Sequence, residues 1–256
     1  MEFKNIEPVL LKSKAQEFVR RRPQFCNYYM ADLTDTSCCE LENTLVIKKS
    51  YEGYNRIYFL STDGNELSMV LSSLTENDAI NIPTKNGISD ALLEILNASG
   101  YKLFAKYERL YRVTNDADSE YEDWFAKEDD VEGIYNLLLE SFNKVSDRLP
   151  SRREISEMVQ NKQVFVLRDD YNSVLGVIIF TIDGKICKFL EWASKGQPGK
   201  SLFLFLNTFS YMKSLGIERS TIWVRSDNIR PKKIYLAWGY KNDGLYDYTF
   251  IKPKSE

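Results

Sequence analysis

The 256-residue chain contains no histidine. That absence removes Ser–His and Cys–His nucleophilic pairs, nearly all catalytic zinc sites and any imidazole base. Proton transfer then falls to Glu, Asp, Tyr, Lys, Cys or water. Cysteine is scarce. Cys26, Cys38, Cys39 and Cys187 include one adjacent pair and no zinc-site spacing, so free thiols in a reducing cytoplasm and no metal centre are expected. No apolar run approaches the ~18–20 residues of a membrane span. The opening residues, Met1 to Asn5, lack the apolar region of a signal peptide. Charge of one sign is also missing: the net charge of −3 supplies no field for nucleic acid or acidic membrane. The run Arg20-Arg21-Arg22 before Pro23 reads as a solvated helix end.

What is present is ample core material, 43% apolar residues, enough for one large domain or two ordinary ones. The most polar stretch, Thr114 to Asp123, carries several acids and no aliphatic side chain, and it reads as a connection. It divides the chain into residues 1–115 and 119–256.

The second part has a clear order of elements. A helix follows Asp129-Asp130 with Val131, Ile134, Leu137, Leu138 and Phe142 on one face. A second helix starts at Ser151 with Glu154 in capping-box position. Strands are expected over Gln163–Arg168, Val174–Ile182 and Lys185–Trp192, the last two joined by a turn at Asp183-Gly184. The loop Lys195 to Ser201 precedes a helix, Leu202 to Leu215, that is apolar almost all round and so expected to be deeply buried. Thr221–Val224 reads as a strand. Pro231 stands in the first turn of a helix ending at Gly239, and a hairpin over Tyr240–Ile251 closes the domain. The class is α/β with strands of mixed direction.

The first part echoes this plan. Ala98-Ser99-Gly100-Tyr101-Lys102 and its aromatic strand match Ala237-Trp238-Gly239-Tyr240-Lys241 and the strand after it.

The segment from Asn228 through Tyr235 to Gly239-Tyr240, with the order of elements from Asp129 to Lys252, resembles the GNAT acyltransferase superfamily. In that family an Asn precedes a helix that carries Tyr and ends in Gly-Phe or Gly-Tyr. The resemblance implies a mixed, mostly antiparallel sheet flanked by helices, as a tandem of one degenerate domain (1–115) and one complete acyl-CoA-binding domain (119–256). It implies an N-acyltransferase that moves an acetyl or small acyl group from acyl-CoA to an amine by direct attack.

In that role Tyr235 protonates the departing thiolate. Asn228 bonds the pantetheine arm, or alternatively caps the helix. The loop residues Lys195, Gly196, Gln197, Gly199, Lys200 and Ser201 would hold the CoA diphosphate on helix N-terminal amides. The loop departs from the family pattern. Read from Lys195 it keeps the leading cation, but Pro198 and Lys200 fill the small-residue positions. Read from Gly196 it keeps Gly199 and Ser201 and loses the cation. Glu191, near the end of the preceding strand, is the candidate base, with flanking Leu190 and Trp192 raising its pKa by desolvation.

Gly199-Lys200-Ser201 also imitates the end of a Walker A motif. A P-loop needs glycine where Ser194 stands, and the strand ending in Trp223-Val224 leads into Arg225 rather than an acid.

In the first part Leu96 stands where Tyr235 stands in the second, and Ser61 to Glu66 carries two acids, so no CoA site is expected there. Its tyrosines (Tyr28, Tyr29, Tyr51, Tyr54, Tyr58) suit core or interface packing, with an acceptor groove as the other reading. The acceptor is a small-molecule or peptide amine. Two further readings stand beside this one: a catalytically weak binding or regulatory module, and a tandem-GNAT transferase that uses aminoacyl-tRNA.

Overall fold

A computed structural model describes residues 1–29, 32–51, 53–75, 77–113, 120–196 and 198–253. The chain forms two compact units, Met1–Tyr107 with Gly244–Glu256, and Glu108–Asp243. Among the described residues no helix is long and apolar enough to cross a membrane.

Unit 1 runs β1 (Lys4–Asn5), α1 (Pro8–Arg20), β2 (Phe25–Cys26), β3 (Thr36–Glu40), β4 (Thr44–Tyr51), β5 (Tyr54–Ser61), α2 (Gly64–Ser72), β6 (Asp78–Thr84), α3 (Asp90–Ala98) and the start of β7 (Lys102–Val113). Its strands alternate strictly. Val46, Ile57 and Phe59 face a core shared with α2 and α3, whereas Leu45, Ile47, Tyr58 and Leu60 face α1. This period-2 pattern sandwiches the sheet between helices on both faces.

Unit 2 runs α4 (Val131–Ser141), a short α5 (Lys144–Asp147), α6 (Arg152–Gln160), β8 (Val164–Arg168), β9 (Val174–Asp183), β10 (Ile186–Ser194), α7 (Pro198–Ser214), β11 (Arg219–Arg225), α8 (Ile229–Ala237) and the start of β12 (Lys241–Ile251). The strand order β11-β10-β9-β8 is antiparallel except for the parallel pair β10–β11. One face carries α7 and α8 on Ile178, Phe180, Cys187 and Phe189. The other carries α4 and α6 on Val164, Val166, Val177 and Ile179. Ser151 caps α6 as its spacing with Glu154 requires, the Ser151 amide bonding Glu154 Oε2 at 2.8 Å.

The two units repeat one plan. The amide of Tyr101 bonds the carbonyl of Leu96 at 2.9 Å, and the amide of Tyr240 bonds that of Tyr235 at 3.0 Å. Gly100 and Gly239 stand at φ +83° and +82°, the left-handed conformation that ends a helix in this way. Leu96 and Tyr235 are thus structural equivalents. In each unit the strands before and after the first of the paired helices run parallel, Asn55–Ile57 with Asp78–Ile80 and Ile186–Lys188 with Arg219–Thr221.

Three expectations about single elements need correction. The segment 240–251 is one strand rather than a hairpin. Gly244 at φ +81° bends it without reversing it, and Tyr246–Ile251 pairs with β6 in unit 1. The division by packing therefore differs from that at 115–119: Leu110 lies in the unit 2 core and Phe250 in the unit 1 core. Helix α7 begins at Pro198 rather than Leu202. It is not buried all round either, since Leu202, Leu206 and Phe203 (63%) are exposed. Helix α7 covers the sheet with one face only. Residues 114–119, which hold most of the expected connection, lie outside the described residues.

Fragments 1–115 and 116–256, expressed apart, are therefore expected to show no cooperative unfolding. The first lacks Phe250 and a six-residue strand pairing, and the second lacks Leu110. Losing one buried aromatic alone costs about 3–5 kcal/mol, a large share of a typical 5–15 kcal/mol stability. Sharp melting of either fragment by circular dichroism would contradict this division of the two cores.

Candidate active site

The parallel pairing of β10 with β11 ends at Lys188 and Thr221, although β10 runs on to Ser194 and β11 to Arg225. Among the described residues no strand pairs with that side of β10 beyond Lys188. Extended backbone whose amides and carbonyls lack a strand partner suits an extended ligand that carries its own.

The other side of β10 breaks register between Phe189 and Glu191, which pair with Phe180 and Ile179. Leu190 is the extra residue of a bulge, and a bulge re-aims the side chains after it. Before it, Cys187 and Phe189 face the α7–α8 core. After it Trp192 faces that core, while Ala193 faces the α4–α6 core. Glu191, paired with Ile179, turns to the α4–α6 face with Ala193. Regular alternation would have sent Glu191 into the aromatic core.

Glu191 is half-buried. Burial pushes its carboxyl well above the ordinary range, and the negative charge of Asp147 on α5 adds to the shift. No local pattern marks Asp147, because its proximity to Glu191 is purely tertiary. Leu190 is itself exposed, and Trp192 stands on the opposite face.

Tyr235 is 5% exposed. Its ring lies 5.8 Å from Trp192, 5.8 Å from Tyr240 and 6.1 Å from Phe205. Burial raises its hydroxyl pKa, and the charge of Glu191 raises it further. The phenol is held protonated, and the two expected catalytic side chains feel each other electrostatically.

Asn228 precedes α8 and is exposed, and its side chain makes no capping bond. Its side-chain amide is therefore not engaged by the helix, which was the other reading of this residue. Glu108, at the α8 end of the unit, accepts from Lys232 Nζ at 2.6 Å and from Asn242 Nδ2 at 3.0 Å.

The first turn of α7 holds Gly199, Lys200 and Ser201 and no acid. A Cβ on Gly199 would meet nothing within 4 Å, and Gly196 stands at φ +90°, so both fit close approach of a ligand to the backbone. Pro198 brings no N–H, but the amides of Gly199 and Lys200 in the first turn have no intrahelical partner and, with the exposed Lys200 side chain, they suit a diphosphate. Lys195 is exposed and ion-paired to Glu140. Ser201 turns inward, its Oγ accepting from Trp192 Nε1 at 3.1 Å and lying 2.9 Å from Ser194 Oγ. Gln197 lies outside the described residues.

Unit 1 has the same plan but fills both places with its own groups. Beyond Ile57, β5 pairs with β2, Phe25 with Ser61 and Cys26 with Leu60. Asn27, 4% exposed, bridges the diverging strands. Its Nδ2 donates to the carbonyls of Ile57 (3.0 Å) and Asn81 (2.9 Å), and its Oδ1 accepts from the amide of Phe59 at 2.7 Å. The start of α2 is capped by a carboxylate, Asp63 Oδ1 accepting from the amides of Asn65 (2.7 Å) and Glu66 (3.0 Å). An anion there meets a charge of its own sign and finds its donors taken.

No family model matches the sequence, and no curated protein matches it. Solved structures do match. A GCN5-related N-acetyltransferase from Sphaerobacter thermophilus aligns at 12% identity and TM-score 0.60 over 94% of this chain and 87% of that one. One from Kribbella flavida aligns at 11% identity and TM-score 0.53 over 98% and 97%. A tandem GNAT protein of the clavulanic acid biosynthesis pathway aligns at 8% identity and TM-score 0.51 over 100% and 99%. At such identities the likeness is one of fold, and it takes in nearly the whole chain: this protein has the fold of the GNAT acetyltransferases.

Proposed function

We propose that the protein is an N-acyltransferase that takes its acyl group from acyl-CoA in unit 2, with unit 1 a degenerate GNAT-like domain that binds no donor. The observation that carries this reading is the contrast between the units. The opening that Asn27 and β2 fill in unit 1 is left unpaired along β10 in unit 2. The unpaired edge of β10 and the Asn228 amide would hold the amide-bearing pantetheine arm. The α7 amides and Lys200 would take the diphosphate, with Gly196, Gly199 and the Lys195 charge beside it. Acyl-CoA supplies an activated acyl group and a thiolate leaving group.

The chain's own residues supply the proton transfers. Glu191 accepts the proton that the attacking amine loses as its nitrogen bonds the acyl carbon. Tyr235 gives its hydroxyl proton to the sulfur as the carbon–sulfur bond breaks, and solvent returns the proton to the phenol. The two steps are coupled in sign. The Glu191 charge opposes loss of the Tyr235 proton, so protonating Glu191 makes the phenol a better acid. The acceptor is a small-molecule or peptide amine.

Titration calorimetry of the full chain with acetyl-CoA tests this, with one site per chain expected. Gly199→Ala should fold normally, because open space surrounds the position, and should bind more weakly than the parent but less weakly than a charged variant, because its methyl enters the space assigned to the diphosphate. Gly199→Asp should bind at least about tenfold more weakly, since a charge pair at roughly 4 Å is worth about 1 kcal/mol even in bulk water and more near a protein surface. Two sites per chain, or full affinity in the Gly199→Asp variant, would overturn the assignment of the donor site to unit 2.

A further inference from the structure

Trp192 has a polar end that the acyl-transfer chemistry leaves unused. Its indole lies 4.6 Å from Phe205 and 6.2 Å from Trp238, nearly parallel to both. That face of the ring is core packing. The Nε1–H does something else: it donates at 3.1 Å to Ser201 Oγ, the fourth residue of α7, which also bonds Ser194 Oγ at 2.9 Å. Ser201 is 7% exposed, so the acceptor of the indole N–H is shielded from water, although Ser194 at the end of the strand is exposed. Trp192 and Ser194 both belong to β10, and Ser201 belongs to the turn whose amides lack intrahelical partners. The aim of those amides depends on where the turn is held against the strand.

The bulge at Leu190 makes this possible. It presents Glu191 on one face of the sheet and the next residue, Trp192, on the other, where α7 packs. One irregularity thus sets both the carboxylate and the anchor of the α7 turn.

We propose that Trp192 is a positioning residue for the acyl donor, fixing the first turn of α7 to β10 through Ser201 so that the turn's amides and Lys200 meet the donor's diphosphate. The assignment rests on the reading of unit 2 as the donor site.

The test uses the full chain, with CoA and with pantetheine, which lacks the diphosphate, and reads affinity by NMR titration. Trp192→Phe keeps an aromatic ring in the cluster and deletes the N–H. Ser201→Ala removes the acceptor and leaves the aromatic cluster untouched, so it serves if the Phe variant fails to fold. Either change should weaken CoA binding about fivefold, the size of one neutral hydrogen bond. The double variant should be no weaker than the worse single one, because the two side chains share one interaction. Pantetheine affinity should not move in any variant. A merely structural role would weaken both ligands alike, and that result overturns the proposal. So does a Ser201→Ala protein that binds CoA within twofold of the parent. If the parent chain binds pantetheine and CoA equally well, or neither, the donor-site reading itself fails and this assignment falls with it.

Discussion

Tyr235→Phe is expected to lower turnover about a hundredfold or more while leaving CoA affinity and melting temperature nearly unchanged. The ring is packed among Trp192, Phe205 and Tyr240, and Phe retains that packing. The hydroxyl alone is lost, and a well-placed general acid contributes about 10²–10⁴-fold. An interaction made only as the sulfur gains charge lowers kcat and leaves donor binding alone. The loss should shrink with a donor whose thiol is more acidic, because that leaving group needs less protonation. Steady-state kinetics with two such donors measures the difference. A Phe variant with full turnover would remove Tyr235 from the chemistry.

Glu191→Gln should reduce turnover by two orders of magnitude or more and, at the same time, stabilise the protein at neutral and higher pH. Both effects come from one shift. Burial and the Asp147 charge raise the folded-state pKa of Glu191 above the unfolded value of about 4.3. Folding then favours the protonated carboxyl. That contribution is fully present below the unfolded pKa and is lost as pH rises through the folded one.

Gln mimics the protonated form and does not titrate. The melting temperature of the variant should therefore match the parent near pH 4 and exceed it increasingly as pH rises. Each tenfold difference in the ionisation constant is worth about 1.4 kcal/mol, or roughly 3–5 °C for a chain of this size. In the parent, the acid limb of kcat/KM should lie above the ordinary carboxylate range. Asp147→Asn should move it to lower pH, because a like charge has been removed. Equal melting at all pH values, or an acid limb near pH 4, would contradict the environment described for Glu191.

Much of unit 2 was legible because its signals are local. The Ser151–Glu154 box, the turn after Asp183 and the glycine closing α8 each specify a backbone conformation within a few residues; the box and the glycine stand where expected, and the turn falls one residue later, on Gly184-Lys185. The equivalence of Leu96 and Tyr235 was legible for the same reason, since it rests on one helix-ending motif used twice.

What stayed hidden is non-local. Asn242-Asp243-Gly244 carries the composition of a turn, yet the strand continues, because pairing with β6 in unit 1 outweighs the turn preference. Leu190 looks like any strand residue. Only the ladder with β9 reveals it as a bulge, so alternation alone puts Glu191 on the aromatic face and Trp192 on the other, the reverse of where they stand. Asp147 near Glu191 and Asn27 between β5 and β6 depend on chain segments brought together by folding.

The central claim is that the donor lies along the unpaired edge of β10 and over the first turn of α7, and nowhere in unit 1. Hydrogen–deuterium exchange of the full chain with and without acetyl-CoA tests it most directly. The account predicts new protection at Leu190–Ser194, at Gly199–Ser201 and around Asn228, with no change at Phe59–Ser61 or Asn65–Glu66, which are already closed by β2, Asn27 and Asp63. Protection confined to unit 1, or none along β10 and α7 at saturating acetyl-CoA, would contradict it.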